Sequence, residues 1–263
     1  MTDFPDYPRA ACLLIGDELL SGRTADKNAH HLAGQLHDRG IPLIEIRVVP
    51  DDAPAIISAL RALKQNADIV FTSGGIGPTH DDITADAVAE ALGVSIGEDE
   101  AALAVLQKHY DAKGEELTPA RRRMARVPEG ASLIPNSVSG APGFTLDGVY
   151  VLAGVPTIFQ AMLGAIIDDF RRGPEETVLT VVGTGHESAL ADGLRDLETA
   201  LKGLKIGSYP GPTGAGGPLS IVCRSRNPET ARQAARAVAA LFQAQGSEAT
   251  IEEGQLRASD AFD

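Results

Sequence analysis

The sequence is poor in cysteine and in positive charge and has no long apolar run, and each shortage excludes a class of protein. Its two cysteines, Cys12 and Cys223, lie in apolar stretches, which indicates buried, reduced thiols in place of a disulfide or a metal site. Aspartate and glutamate number 36 against 23 lysines and arginines, so the net charge is −13. Because an acidic surface repels nucleic acid and anionic lipid, we expect neither as a partner.

No stretch reaches the ~18 apolar residues of a membrane helix. Residues 1–8 are polar and interrupted by proline, unlike the apolar centre of a signal peptide. We therefore expect a cytoplasmic protein. The chain has 263 residues, of which 43% are hydrophobic, enough for one large domain or for a large and a small one.

Apolar, strand-like runs alternate with helical patterns from the start of the chain. The strands are predicted at 11–15, 41–49 and 67–72, and the helices at 26–39, 53–64 and 82–92. This alternation predicts an α/β domain, with a mostly parallel sheet covered by helices on both faces. Ligands of such domains bind at the carboxyl ends of the strands.

The second half of the chain is predicted to continue this domain and then to form a smaller one. Asp147 and Gly148 indicate a hairpin, a helix follows over 156–170, and residues 171–174 suit a domain boundary. Strands and helices over 177–243 predict a small α+β unit with a Gly/Pro-rich connection at 211–217. The predicted domains are therefore 9–172 and 176–245, and a frayed tail is expected over 246–263.

The strongest functional signal is a glycine-rich turn between the third strand and the next helix. Gly74, Gly75 and Gly77 allow close approach of the backbone, so that several N–H groups can point at one phosphate beside a helix N-terminus. Asp81 and Asp82 follow, and adjacent carboxylates are hard oxygen ligands for a divalent cation. The alternative is that they only cap the helix, but one aspartate suffices for that and the second would be repelled.

A second acidic turn follows the first strand. Asp17 and Glu18 are either solvated loop charges or, beside the glycine turn, metal ligands and activators of water. The sequence thus predicts catalytic roles for Asp17, Glu18, Asp81 and Asp82, with Asp17, Asp81 and Asp82 as the metal ligands.

Several further polar residues are candidates for substrate contacts. Asn28 can bind a substrate hydroxyl, or the segment from Asp26 can simply start a helix. His80 either contacts phosphate or is a spacer in the glycine-rich turn. The loop 136–144 is either an ordinary connection or a recognition loop. We expect His30 and His31 to be exposed rather than metal-bound, and the run 121–123 to be a solvated basic face or an anion site. The predicted substrate-binding residues are Gly74, Gly75, Gly77, Thr79, His80, Thr84, Asn28 and Asn136.

These motifs resemble the CinA-type competence/damage-inducible family. The resemblance covers about residues 9–172 and rests on the segments 16–22, 26–28, 74–84, 141–144 with Asn136, and 154–156. The first domain of that family belongs to the MoaB/MogA molybdopterin-binding superfamily and also resembles the N-terminal half of eukaryotic FAD synthases. Residues 176–245 are similar to the small KH-like domain that follows in CinA proteins, through the segments 183–188 and 206–210.

The resemblance implies a three-layer MogA-like fold and a pyrophosphatase that hydrolyses ADP-ribose and related nucleotides with Mg²⁺, Mn²⁺ or Co²⁺. It also leaves open a protein that binds molybdopterin or a nucleotide without turnover. Members of the superfamily commonly self-associate, so a homo-oligomer is expected by analogy. CinA proteins often carry a C-terminal amidase domain; this chain ends at Asp263, so we expect that activity to be absent.

Overall fold

The computed structural model describes residues 7–211 and 217–254. The chain divides into two compact units, one up to Gly173 and one from Pro174. Within the described ranges, no helix combines the length and apolarity that crossing a bilayer requires.

The first unit is built on a mixed sheet. Its strands are β1 (Ala10–Ile15), β2 (Leu43–Val49), β3 (Ile69–Ser73), β4 (Ile96–Glu98), β5 (Arg126–Pro128), β6 (Ser132–Ile134), β7 (Gly143–Leu146) and β8 (Val149–Leu152). The main sheet has the order β2-β1-β3-β8-β7-β6. The pairs β2–β1, β1–β3 and β3–β8 are parallel, whereas β8–β7 and β7–β6 are antiparallel. The mostly parallel sheet is therefore confirmed, and β4 and β5 form a separate short pair that the sequence did not reveal.

Helices cover both faces of this sheet. They are α1 (Asp17–Leu20), α2 (Asn28–His37), α3 (Ala53–Lys64), α4 (Thr84–Leu92), α5 (Glu100–Lys113), α6 (Pro119–Arg122) and α7 (Pro156–Ile166). Alternate β1 residues point into two cores: Leu13 packs in the core that includes α3, α4 and α5, and Leu14 packs in the core that includes α2 and α7. Both faces of β1 are thus buried, which explains its uninterrupted apolar sequence.

The second unit is an antiparallel sheet with two helices. It contains β9 (Thr177–Thr184), α8 (Glu187–Ala200), β10 (Lys205–Pro210), β11 (Pro218–Ser225), α9 (Pro228–Ala244) and β12 (Ala249–Glu253). The strand order is β10-β11-β9-β12. Leu190 and Leu194 of α8 share a core with Val238 and Phe242 of α9, beside inward residues of the strands. This is the small α+β unit that the sequence predicted.

The expected fraying from Gly246 is wrong where the structure describes the chain. Residues 249–253 form β12, which pairs with β9 from Ala249 opposite Gly183 to Glu253 opposite Leu179. The segment is short and mostly exposed, so its own sequence carries little strand signal, and the ladder with β9 decides its conformation. The rest of the predicted tail, 255–263, and most of the predicted connection, 212–216, lie outside the described residues.

Both cysteine thiols should be inert in the folded protein. Cys12 and Cys223 are free and fully buried, and burial raises the pKa of Cys12 to about 12 and that of Cys223 to about 11. Because the thiolate is the reactive form, we expect no reaction with a thiol-specific disulfide reagent at pH 8 in the native state and two reactive thiols in denaturant. Rapid labelling of the native protein would contradict this packing.

Candidate functional site

Three polar turns meet at the carboxyl edge of the parallel strands. Gly16 follows β1, Asp51 follows β2, and Gly74 follows β3. The Gly16 N–H donates to the carbonyl of Val49 at 3.1 Å, and the Gly74 N–H donates to the carbonyl of Leu152 at 3.2 Å. These bonds fix the turns against the neighbouring strand ends. Strands β1 and β3 are paired, and Gly74 lies against the Ile15 carbonyl directly before Gly16, so the predicted meeting of the Gly16 and Gly74 turns is confirmed. The turn after β2 is a third component that the sequence analysis did not include.

The glycine turn is pressed onto the sheet edge and cannot accommodate side chains. Gly74 and Gly75 have φ of +110° and +68°, in the left-handed region that favours glycine. A Cβ on Gly74 would lie 2.3 Å from the Ile15 carbonyl oxygen, and one on Gly75 would lie 2.1 Å from Oγ1 of Thr84. Thr84 is fully buried and donates its hydroxyl to the Gly74 carbonyl at 2.9 Å. The predicted contact of Thr84 with substrate is therefore wrong, because its side chain holds the turn.

Asp81 and Asp82 do not cap the following helix. The predicted start of that helix at Asp82 is two residues early: α4 begins at Thr84, its N-cap is Ile83, and in the described structure no side chain bonds to that cap. The capping explanation for the paired aspartates therefore fails.

The two aspartates have different surroundings. Oδ2 of Asp82 accepts the Thr79 N–H at 2.8 Å and the Thr79 hydroxyl, so this carboxylate stabilises the turn. Asp81 is largely exposed, and its pKa is lowered by the Thr79 hydroxyl first, then by its own backbone N–H and by His80. A hydroxyl donates to one acceptor at a time, so the two carboxylates share Thr79. His80 itself is fully exposed beside Asp81, with 3.9 Å between Nδ1 and Oδ1.

Asp51 is the acidic residue that sequence reasoning missed. Its Oδ2 accepts the backbone N–H of Asp17 at 3.0 Å, which joins the turns after β1 and β2. Burial raises the pKa of Asp51, and the charges of Asp17, Glu18 and Asp81 raise it further against the opposing effect of the Asp17 N–H. These four carboxylates therefore repel one another across three turns, and we call them the acidic cluster.

The acidic cluster does not by itself form a coordination shell. Across 7–211 and 217–254, no three His, Cys, Asp or Glu side chains lie close enough together to hold a metal ion. The predicted metal ligands thus lack a complete protein-only site, and His30 and His31 do not supply one. A Mg²⁺ ion, however, is commonly held by one or two carboxylates and by substrate phosphates. The cluster fits a cation that arrives with a phosphate-bearing ligand.

Asn28 links three parts of this edge. Its amide nitrogen donates to Oγ of Ser73 at 2.8 Å and to the carbonyl of Gly154 at 2.7 Å, while Asp26 accepts the N–H groups of Asn28 and Ala29. The N-cap of α2 is Lys27, and Asp26, one residue earlier, satisfies the first two N–H groups of the helix. Asn28 is only 5% exposed, and no partner for its Oδ1 is found in the described part of the chain. Its donors are used by the protein, so it positions the strand ends.

Asn136 organises its own loop. Its side-chain oxygen accepts the N–H groups of Val138 and Ser139 at 3.0 and 3.1 Å, and its nitrogen donates to Oγ of Ser139 and to the carbonyl of Ala141. An asparagine amide that makes two donations and two acceptances has no capacity left for a ligand. The predicted substrate contact of Asn136 is wrong for this reason, although the end of its loop does reach the glycine turn.

A shallow cleft opens beside the glycine turn. It is lined by Gly75, Ile76, Gly77, Asp82, Ala85, Asp86, Arg123, Met124, Arg126, Val127, Pro142 and Phe144. Two arginines on its wall come from the segment that joins α6 to β5, and this segment was not connected to the glycine turn by sequence analysis. The cleft therefore adds positive charge to the predicted phosphate site.

Loss of the Asn28 side chain should destabilise the domain. An Asn28→Ala substitution leaves the Gly154 carbonyl and the Ser73 hydroxyl without their buried donor, which costs about 1–3 kcal/mol. We expect a correspondingly lower free energy of unfolding in urea, whereas Lys27→Ala, at the exposed neighbouring position, should change it little. Equal stability of the Asn28 variant and the wild type would show that these bonds are not formed.

Removal of one charge from the acidic cluster should stabilise the protein but weaken its response to Mg²⁺. Asp51→Asn retains an acceptor for the Asp17 N–H and relieves repulsion on the order of 0.5 kcal/mol, which raises Tm by about 1–2 °C at pH 7 without metal. With Mg²⁺ and ADP-ribose, its rise in Tm should be smaller than that of the wild type.

Asp52→Asn is the matched control, because Asp52 caps α3 through the Ala55 N–H and asparagine caps equally well. An identical response of the Asp51 and Asp52 variants to Mg²⁺ and ADP-ribose would exclude Asp51 from a cation site.

Comparisons with known proteins agree with the motifs. Residues 11–172 match the family model described as a probable molybdopterin binding domain. A protein from Pyrobaculum arsenaticum is 36% identical over 215 residues, which cover 78% of this chain and 81% of the relative. A CinA-like protein from Citrifermentans bemidjiense is 39% identical over 193 residues, which cover 70% of this chain and 46% of the relative. The chain spans about half the length of the CinA-like relatives that it matches.

A solved structure supports the same relationship. The protein CinA of unknown function from Thermoplasma acidophilum aligns with a TM-score of 0.58 and 36% sequence identity, and the alignment covers 62% of this chain and 98% of that one. The resemblance predicted from the glycine and acidic turns is thus confirmed. The chain belongs to the CinA-type family, and its residues 11–172 form the probable molybdopterin binding domain of that family.

Proposed function

We propose that this protein is a divalent-metal-dependent nucleotide pyrophosphatase that hydrolyses ADP-ribose-like diphosphates. The observation that supports this best is the acidic cluster beside the glycine turn, in which the charges of Asp17, Glu18 and Asp81 act on Asp51. Mutual repulsion of carboxylates destabilises a fold, and arrangements that perturb pKa values in this way concentrate at functional sites. A cation relieves the repulsion and allows an anionic ligand to approach.

Different groups of the chain would bind the phosphate and the cation. Backbone N–H groups of residues 75–77 would hold phosphate oxygens, since the N–H groups of Gly74 and Thr79 already donate to the Leu152 carbonyl and to Asp82. Asp81 and Asp17, helped by Asp51, would hold the divalent ion. When bound, the ion would neutralise charge that develops on the phosphate and make a water molecule more acidic.

Hydrolysis then requires a proton acceptor close to the diphosphate. Water attacks one phosphorus, the bridging P–O bond breaks, and ADP-ribose yields AMP and ribose 5-phosphate. Glu18 would accept the proton of the attacking water, since its carboxylate lies over Gly16 at the same edge. The proton then leaves to solvent.

A second candidate is a protein that binds a pterin or nucleotide without turnover and is linked to molybdenum cofactor metabolism. The family description as a probable molybdopterin binding domain favours it, and so does the lack of a three-ligand metal group among the described residues. Incubation with ADP-ribose or FAD and with Mg²⁺, Mn²⁺ or Co²⁺ distinguishes the two candidates. Release of AMP supports the enzyme; tight pterin binding without AMP supports the binding protein.

Asp81→Asn should abolish most of the hydrolysis without unfolding the protein. Asp81 is exposed, and its lost charge would weaken the hold on the cation, so we expect kcat for ADP-ribose with Mg²⁺ to fall by ~10²–10³. Asp111→Asn, an exposed carboxylate on α5 that accepts from Gln107, is the control and should retain full turnover. Wild-type turnover in the Asp81 variant would refute the assigned role.

A further inference from the structure

The charged side chains that line the cleft differ in whether they have partners in the described part of the chain. Arg126 forms an ion pair with Asp86, and Asp82 accepts two hydrogen bonds from Thr79. Arg123 differs from these, because no carboxylate in the described part of the chain lies within ion-pairing distance of its guanidinium. Its charge is therefore available to a ligand in the cleft.

The neighbouring arginines are already engaged. Arg121 pairs with Glu115, donates to the Glu116 carbonyl at 2.7 Å and lies 4.2 Å over the ring of Tyr110. Arg122 pairs with Glu98, and this contact lowers the pKa of Glu98. Of the basic run 121–123, which sequence analysis treated as one face, Arg123 is the member that lines the cleft.

The remaining wall of the cleft offers little apolar surface. Met124, which follows Arg123 in the chain, is partly exposed, whereas Val127 and Phe144 are only 7% and 3% exposed and pack in the core. A few charged or hydrogen-bonding groups typically fix the orientation of a bound molecule. Here the Arg123 guanidinium and the glycine turn line the same cleft, so the cleft is suited to an anion.

We propose that Arg123 binds a phosphate of the ligand beside the glycine turn. The ligand class is a small organic phosphate whose phosphate lies between the Arg123 guanidinium and the turn. The proposal deepens the proposed function and rests on it in taking the ligand to be a small phosphate-bearing molecule.

The test is calorimetric binding of AMP, ribose 5-phosphate and adenosine to the full chain with Mg²⁺ present to offset the charge of the acidic cluster; none of the three contains a diphosphate that could be hydrolysed. A charge-assisted hydrogen bond to phosphate supports a loss of about 10–100-fold in affinity, so Arg123→Gln should weaken AMP and ribose 5-phosphate by this factor and leave adenosine unchanged. Arg123→Lys should restore part of the affinity. Arg122→Gln, the adjacent arginine paired with Glu98, should bind all three ligands as the wild type does.

Each other result overturns the proposal. Unchanged AMP affinity in Arg123→Gln, or an equal loss in Arg122→Gln, removes the role of Arg123, and so does binding of neither AMP nor ribose 5-phosphate by the wild type at millimolar concentration with Mg²⁺. ADP-ribose hydrolysis by the wild type, measured in parallel, separates the hypotheses: hydrolysis without an effect of Arg123 defeats this proposal alone, and Arg123-dependent binding without hydrolysis defeats the pyrophosphatase alone.

Discussion

The close approach of the glycine turn to the end of β1 is the constraint on which the candidate site depends. Gly74 lies so near the Ile15 carbonyl that no side chain fits, and Thr84 holds the turn from beneath. Asn28 fastens the ends of β3 and β8 from the other face. Because the turn cannot move away from the edge, its N–H groups lie beside the carboxylates that follow β1 and β2.

The architecture of the first unit was predictable because its signals are local. Three apolar runs separated by amphipathic helices specify parallel crossovers, and the resulting edge brings Asp17 and Asp81 into one region. Asp51 was missed although the same rule applied to it: it lies two residues after the end of β2, which is next to β1. Its relevance depends on strand order, which the alternation of strands and helices does not give.

Other features needed tertiary information. Thr84 and Asn136 sit in polar, glycine-rich segments, and the sequence does not distinguish a side chain that faces a ligand from one that satisfies its own backbone. In the run 121–123, Arg121 pairs with Glu115, six residues away, and Arg122 pairs with Glu98, 24 residues away, whereas Arg123 lines the cleft. The sequence does not show these pairings, because they depend on how the chain folds. The strand β12 likewise forms through its partner β9, a tertiary pairing that overrides weak intrinsic preference.

The two walls of the candidate site present different chemical groups. One wall is main chain, held in a conformation that tolerates almost no substitution; the other wall, 123–127 and 142–144, consists of side chains. Changes in the first wall disturb the fold, whereas Arg123, Met124 and Arg126 of the second wall are at least partly exposed and can change at little structural cost. A scaffold of this design can vary these side chains during evolution while its main-chain wall stays fixed.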